Sequence, residues 1–163
     1  MAKISDPLVQ ELLHSRRVAC LGTVSADESV HLTSVWFLFE GDSLYVATSS
    51  RTHKARNLQA RPRASLMIDS RDPAASYGVT LSGAARILTG DAAHGWNARI
   101  HERYLSRAAL ADARVGPVFA TWDDITVQLS PASVFTWDMR ELDKTALGGV
   151  IAARPDYLLP LER

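Results

Sequence analysis

The most informative stretch of the sequence for chemistry is a basic window between Ser43 and Ile68. It contains no acidic residue, although the whole chain balances 18 Lys and Arg against 18 Asp and Glu. Hydroxyl groups, the N–H groups that begin a helix and cationic side chains together suit a phosphate. A solvated basic helix face is the alternative interpretation. The donors in the window are Thr48, Ser49, Ser50, Arg51, Thr52, Lys54, Arg56, Arg61 and Arg63.

A second feature is the apolar strand that precedes this window. Large side chains from Val35 to Phe39 occupy both of its faces, which is typical of a core strand. The end of this strand would approach the basic window, where extended backbone can face a flat heterocycle. We therefore take Thr33, Ser34, Val35 and Trp36 as a candidate wall for such a ring.

The periodicity of apolar residues predicts short antiparallel strands with a few helices inserted between them. There is no βαβ alternation and no repeat, so we expect a mainly β fold: an antiparallel barrel with added helices. We expect one domain over residues 1–163, with a core over about 12–139 and a tail over 140–163 that packs on its own or a partner subunit. The predicted helices begin at Pro7 and span Thr52–Ala60 and Asp91–Arg107; the predicted strands span Val18–Ser25, Val30–Phe39, Leu44–Ser49, Arg63–Asp69, Gly78–Leu88, Ile125–Leu129 and Val134–Met139.

Composition excludes several classes of protein. The longest apolar run, Val35–Phe39, is too short to cross a membrane, and the N-terminus has no targeting pattern, so we expect a cytoplasmic protein. Zero net charge and the lack of an aromatic residue between Arg51 and Arg63 argue against nucleic-acid binding. One cysteine, Cys20, allows no internal disulfide and no cysteine-rich zinc site, and we expect no metal.

Several polar and aromatic residues receive no chemical role from their spacing. His94 and His101 lie seven apart on one predicted helix, and we expect both to be solvated. We expect Trp122 in the core or an interface, and Asp123 and Asp124 as a cap or turn before the next strand. No arrangement of a nucleophile with its base is apparent, so no catalytic residue is assigned.

Five segments follow one another along the chain: RVACLGTVS from Arg17, HLTSVWF from His31, ATSSRTHKARNL from Ala47, RPRASLMID from Arg61 and LSGAARI from Leu81. In this order they resemble the pyridoxamine 5′-phosphate oxidase-like superfamily of flavin-binding split β-barrels, and most of all its actinobacterial flavin/deazaflavin oxidoreductase branch. The resemblance covers about Leu12 to Leu88 and, more loosely, Ile125 to Trp137. The extra C-terminal elements of true pyridoxamine phosphate oxidases are not recognisable, so we assign no role in vitamin B6 synthesis.

The resemblance implies a homodimer with two cofactor sites at the subunit interface, each built from both chains. It implies that Lys54 and Arg56, with Thr48 and Ser49, hold the cofactor phosphate, that Thr33 to Trp36 line the ring, and that Trp137 reaches the partner's cofactor. A flavin cofactor carries out hydride chemistry itself, which agrees with the lack of a side-chain nucleophile.

Two cofactors fit this expectation. The surplus arginines favour the deazaflavin F420, which carries an anionic tail, and FMN is a close second. We therefore expect an F420H2-dependent reductase that transfers hydride to a small organic substrate. The alternative is a non-catalytic flavin-binding or haem-binding sensor protein on the same barrel.

Overall fold

The computed structural model describes residues 2–70, 72 and 75–159. Seven strands form one curled antiparallel sheet in the order β2-β1-β5-β6-β7-β4-β3, which confirms the mainly β, split-barrel expectation. The strands are β1 Ala19–Val24, β2 Val30–Val35, β3 Leu38–Glu40, β4 Ser43–Thr48, β5 Arg63–Ser70, β6 Tyr77–Leu88 and β7 Ile125–Asp138. The helices are α1 Pro7–His14, α2 His53–Ala60, α3 Gly90–Tyr104, α4 Arg107–Ala111, α5 Gly116–Trp122, α6 Met139–Ala146 and α7 Val150–Ala153, followed by a 3-10 turn over Pro155–Tyr157.

The core lies between one face of the sheet and α1. Pro7 starts this helix, and its apolar face packs into the core through Val9, Leu12 and Leu13, as predicted. The largest core side chains, all almost fully buried, include Leu21, Phe37, Leu66, Ile68, Leu81 and Leu129. None of the described helices is long and apolar enough to span a membrane.

The predicted single strand Val30–Phe39 is wrong at Trp36. Strand β2 ends at Val35 and pairs with β1, whereas β3 begins at Leu38 and pairs with β4. Between them Phe37 is fully buried, and its N–H leaves the ladder to donate to the hydroxyl of Tyr104, at 3.4 Å. The run of apolar residues is continuous through this break, so periodicity alone does not show it.

The two predicted closing strands are one strand, β7, which pairs with β4 and with β6. Pro131 lacks an N–H, and the register shifts between Ser82 and Gly83 to accommodate it. Gly83 permits the shift, because a side chain there would collide with the carbonyl of Ser130. The proline therefore bends the strand rather than ending it.

The region after β6 holds more helix than predicted. Helix α3 ends at Tyr104 rather than Arg107, because Ser106 caps the next helix by accepting a hydrogen bond from the N–H of Ala109, at 3.1 Å. Helices α4 and α5 then fill a stretch without a predicted element. The tail also contains short helices, which the buried carboxylate of Asp143 joins by accepting from the N–H groups of Ile151 and Ala152, at 2.9 and 3.0 Å.

Candidate functional site

A cleft of about 510 Å³ opens where β4 ends and α2 begins. Two walls form it, named here after their helices. The α2 wall consists of Thr48, Ser49, Thr52 and Lys54, and the α5 wall of Phe119, Trp122 and Asp123. The remaining lining residues are Val18, Ser34, Val35, Trp36 and Ala47.

Local hydrogen bonds shape the α2 wall. The hydroxyl of Thr52 donates to the carbonyl of Ser49, at 2.8 Å, and accepts from the N–H of Ala55, at 3.4 Å, so Thr52 caps α2 as predicted. On the buried side of α2, the Asn57 amide donates to the hydroxyls of Thr23 and Ser25, at 3.1 and 3.3 Å. These contacts fix the first turn of α2 at the edge of the cleft.

Lys54 lies in that first turn and is partly buried. None of the described residues forms a hydrogen bond or an ion pair with its ammonium group. Burial lowers the pKa of Lys54, and the nearby carboxylate of Asp123 opposes this shift. A partly desolvated cation without a bonded partner is a favourable place for an anionic group of a ligand.

The arginines of the basic window do not form one continuous track. Arg51 lines a neighbouring cavity of about 410 Å³, here called the α5 pocket, which shares Ser49 and Trp122 with the cleft. Arg56 and Arg61 line a groove of about 620 Å³ that lies outside the cleft, here called the α2 groove. The guanidinium of Arg56 donates to the carbonyl of Arg51, at 2.9 Å. Lys54 is thus the only Lys or Arg among the described residues that line the cleft.

Trp36 forms part of the cleft lining, but two other aromatic rings hold it in place. Its ring stacks on Tyr104, with centroids 5.0 Å apart, and on Phe119, at 5.4 Å. The hydroxyl of Tyr104 in turn donates to the carbonyl of Arg17, at 2.7 Å. The stack connects the end of β2 to α3 and α5, and it presents a rigid apolar edge to the cleft.

The α5 wall contains residues that were not predicted to belong to the site. Trp122, expected in the core or an interface, is 69% exposed and borders both the cleft and the α5 pocket. Two features of the sequence point to this helix: Pro117 in its first turn, and two aromatic residues, Phe119 and Trp122, spaced three apart.

The expectation that His101 is solvated is wrong. Its side chain is buried, and its Nε2 lies 2.8 Å from Oδ2 of Asp123 on the cleft wall. Because α3 turns this face towards the segment before β7, the ring lies under Phe119, with centroids 5.3 Å apart. His94, two turns earlier on α3, is exposed.

The other predicted site residues lie around the cleft rather than in it. Ser50 donates to the Asp124 carboxylate through its N–H, at 2.7 Å, and its hydroxyl, at 2.6 Å, which fixes the turn before α2. The Thr33 hydroxyl is buried without a hydrogen-bond partner among the described residues. Trp137 lies against Gly78, near the opposite end of β7 from Ile125, which pairs with Thr48.

The curled antiparallel sheet with its added helices places the chain among the split barrels. The sequence profile of the pyridoxamine 5′-phosphate oxidase family matches residues 5–130, and the chain belongs to this family. No curated protein sequence matched the chain.

Solved structures share the fold. The conserved hypothetical protein Rv2991 of Mycobacterium tuberculosis is 24% identical, with a TM-score of 0.70 over 86% of this chain and 88% of that one. A protein described as an F420 reductase is 20% identical, with a TM-score of 0.62 over 77% of this chain and 94% of that one. The haem storage protein HutZ of Vibrio cholerae is also 20% identical, with a TM-score of 0.62 over 80% of this chain and 92% of that one.

Proposed function

We propose that this protein is a flavin- or deazaflavin-dependent oxidoreductase that reduces a small organic substrate. The observation that carries the proposal is the ammonium of Lys54, which has no bonded partner among the described residues, beside the hydroxyls of Thr48 and Ser49 at the start of α2. These groups fit the phosphate of a flavin cofactor, because they supply hydrogen-bond donors and positive charge at one point. Membership of the pyridoxamine 5′-phosphate oxidase family and the fold shared with an F420 reductase support it.

The cleft is divided between binding and orientation. Thr48, Ser49 and Lys54 would hold the phosphate, while Ser34, Val35 and Trp36 would line the ring. The stack of Trp36 on Tyr104 and Phe119 keeps that wall rigid and excludes water. When bound, the reduced cofactor supplies the hydride.

We propose F420 as the first cofactor and FMN as the second. Arg51 supports this order, because it lies in the α5 pocket, two residues after Ser49, where its charge acts on Asp124 without a direct ion pair between described residues. F420 has an anionic tail beyond its phosphate, and this tail could contact Arg51 while Lys54 holds the phosphate. FMN has no group beyond its phosphate, so it would contact Lys54 but not Arg51. Arg56 would act indirectly, by holding the carbonyl of Arg51.

Parallel fluorescence titrations with F420 and FMN test this order. Arg51→Ala should weaken F420 binding about tenfold, the effect of one exposed charge-assisted contact, and leave FMN binding unchanged. Arg114→Ala is the control, because Arg114 is exposed and pairs locally with Asp112. Tight FMN binding without F420 binding would reverse the order, and binding of neither would overturn the proposed function.

We also propose that the active form is a homodimer. The outer face of the sheet exposes apolar side chains on β1, β2 and β7: Val24, Val30, Leu32 and Phe135 are 36%, 65%, 62% and 67% exposed. Phe135 pairs with Thr80, which borders the same apolar groove as Leu32. A second copy is a suitable occupant for such a face, and a stable homodimer would bury about 2,000 Å² or more. Light scattering at micromolar concentration should give twice the monomer mass, and Leu32→Glu should reduce it.

A binding protein without turnover remains the second candidate, and the α2 groove favours it. There the rings of His31 and His53 lie 5.5 Å apart beside Arg56 and Arg61, so the groove offers imidazole ligands and cations for acidic groups. HutZ, which shares the fold, is described as a haem storage protein. Addition of haem should then give a Soret band that His53→Ala removes, whereas the reductase should bind a flavin or deazaflavin and show none.

A further inference from the structure

Two rows of side chains cross the outer face of the sheet, and the strand registers define them. The first row holds four residues, one each from β7, β6, β5 and β1: Phe135, Thr80, Met67 and Cys20. The last three border the apolar groove, which has a volume of about 340 Å³ and extends to Leu32 of β2. Phe135 is mostly exposed, so it does not fill the groove of its own copy.

The Phe135 ring and the apolar groove match each other across a twofold axis. Neighbouring strands are about 4.8 Å apart, so β7 and β1, which are three strands apart, are separated by about 14 Å. When two such sheets pack face to face with aligned strands, an axis parallel to the strands and between β5 and β6 exchanges β7 with β1. Each Phe135 then enters the groove of the other copy. An axis across the strands would put β7 over β7 and would not bring Phe135 to the groove.

The same arrangement brings the end of β7 to the cleft of the other copy. The second row lies two residues further along β7 and holds Trp137, which packs against Gly78, its paired residue on β6. Gly78 pairs in turn with Asp69 of β5. On the β1 side, the residue two positions before Cys20 is Val18, which lines the cleft. Trp137 of one copy would therefore lie over the partner's Val18, and the chain that follows would continue towards the mouth of the partner's cleft.

The base of the following segment, residues 139–159, is fixed to the barrel. This segment is here called the arm. The N–H of Met139 donates to the carbonyl of Ser76, at 2.8 Å, and the guanidinium of Arg140 lies 3.7 Å from the centre of the Tyr77 ring. The arm thus leaves the barrel at the end of β7 that faces the partner's cleft in this arrangement.

The surface of the arm is apolar and only partly covered within one copy. The Asp143 carboxylate joins α6 to α7, so the two helices form one unit. Four apolar side chains of this unit are 43–52% exposed: Met139, Leu142, Leu147 and Val150. An exposed apolar surface of this kind favours contact with another protein surface.

Helix α5 offers a matching apolar surface beside the cleft. Val118 and Trp122 lie four residues apart on this helix and are both more than half exposed. Both border the α5 pocket, and Trp122 borders the cleft as well. Trp36 and Trp96 each stack on a tyrosine, whereas Trp122 has no ring contact among the described residues.

We propose that the arm of each copy covers the cleft of the other, with Leu142 packed against the partner's Trp122. This inference rests on the proposed homodimer. A second copy is the occupant that the registers favour, because the arrangement that puts Phe135 into the groove also puts the arm at the cleft. The cleft is then complete only in the dimer, where the arm shields it from water.

The first test is a disulfide cross-link between two different chains. Cys20 is the only cysteine, so Cys20→Ser provides a background without thiols. In this background a Leu142→Cys protein is mixed with a Val118→Cys protein, left to exchange subunits and oxidised. The mixed disulfide should form faster than either symmetric one, and faster than that between Leu142→Cys and the control Gln59→Cys, which is exposed on α2. A bond that forms only when both cysteines are in one chain would place the arm on its own cleft and overturn the proposal.

The second test is acrylamide quenching of tryptophan fluorescence. The difference between the wild type and Trp122→Phe isolates the signal of Trp122, which should be protected from acrylamide in the dimer. Leu142→Glu should abolish this protection while light scattering still gives twice the monomer mass, because the sheet face still holds the dimer. Lys144→Glu is the control, since this exposed residue lies on the other side of α6, and it should leave the protection unchanged.

Light scattering separates the arm contact from the homodimer itself. In Leu32→Glu, the mass and the protection of Trp122 should fall together, because the arm reaches the other cleft only in the dimer. A monomeric wild type would overturn the homodimer and the arm contact with it. A wild-type dimer in which acrylamide quenches Trp122 equally with and without Leu142→Glu would overturn the arm contact alone. Neither test contains a cofactor, so a failure to bind F420 or FMN would leave both results unchanged.

Discussion

The two walls of the cleft are assembled from contacts of very different range. The α2 wall comes from one continuous stretch of chain, in which Thr52 bonds to Ser49 and Ala55, three residues away on either side. The α5 wall lies about 70 residues further along and depends on Asn97 and His101 of α3. One wall is thus specified by its own residues, and the other by a partner helix.

A pair of buried asparagines offers the strongest test of this difference. Asn97→Ala would remove the side-chain donor from the carbonyls of Asp123 and Ile125, while the Thr126 hydroxyl would keep its hydrogen bond to the carbonyl of Ala93, and the free energy of unfolding should fall by about 2–4 kcal/mol. Asn57→Ala, its match on α2, releases only hydroxyls, one of them partly exposed, and should cost about 1 kcal/mol. Urea unfolding of both variants measures the two values. Equal losses would contradict the view that α3 carries the α5 wall.

Cofactor affinity, unlike folding stability, should depend more on the α2 wall than on the α5 wall. Lys54→Ala removes the only Lys or Arg side chain in the described cleft lining and should weaken cofactor binding by about 1.5–3 kcal/mol, the range for a charge-assisted hydrogen bond. Its folding stability should change little, because the ammonium has no bonded partner among the described residues. Fluorescence titration and urea unfolding of the same variant give both quantities. Unchanged affinity would remove the phosphate assignment.

Arg56→Ala is the matched control for Lys54. Its guanidinium bonds the carbonyl of Arg51 and lies in the α2 groove, so its removal should affect affinity less than Lys54→Ala. A larger effect at Arg56 would mean that the phosphate binds in the α2 groove instead of the cleft.

The sequence predicts the features that depend on neighbouring residues and misses those that depend on a remote helix. The capped helix after Thr48–Ser50 and the hairpin of β1 and β2 depend on neighbouring residues, and both are confirmed. The break at Trp36 and the burial of His101 depend on α3 and α5, whose partners are remote in sequence. A histidine spaced like a surface residue becomes a buried one when another helix packs over it, and periodicity within α3 holds no information about that helix.

The aromatic stack gives a smaller test of the connection between the walls. Tyr104→Phe keeps the ring against Trp36 but removes the hydrogen bonds to the carbonyl of Arg17 and from the N–H of Phe37. Stability should fall by about 1–2 kcal/mol. Tryptophan fluorescence should stay close to that of the wild type, because the stacked ring remains. A large spectral change would mean that the hydroxyl, rather than ring packing, orients Trp36.

The smallest expected change in stability concerns Ser50 and Asp124, which follow Ser49 of the α2 wall and Asp123 of the α5 wall and bond to each other. Hydrogen bonds from the Ser50 hydroxyl and N–H hold the pKa of Asp124 below its usual range. A lowered folded-state pKa stabilises the protein above the unfolded value, near pH 4, and this contribution disappears as pH falls through the lower folded value. Ser50→Ala removes the hydroxyl bond and keeps the N–H bond, so it should cost about 0.5–1 kcal/mol at pH 7, since the pair is partly exposed. The difference from wild type should shrink when urea unfolding is repeated at pH 3. A loss that is the same at both pH values would show that Ser50 supports the turn by packing, and that the charge of Asp124 does not help to join the walls.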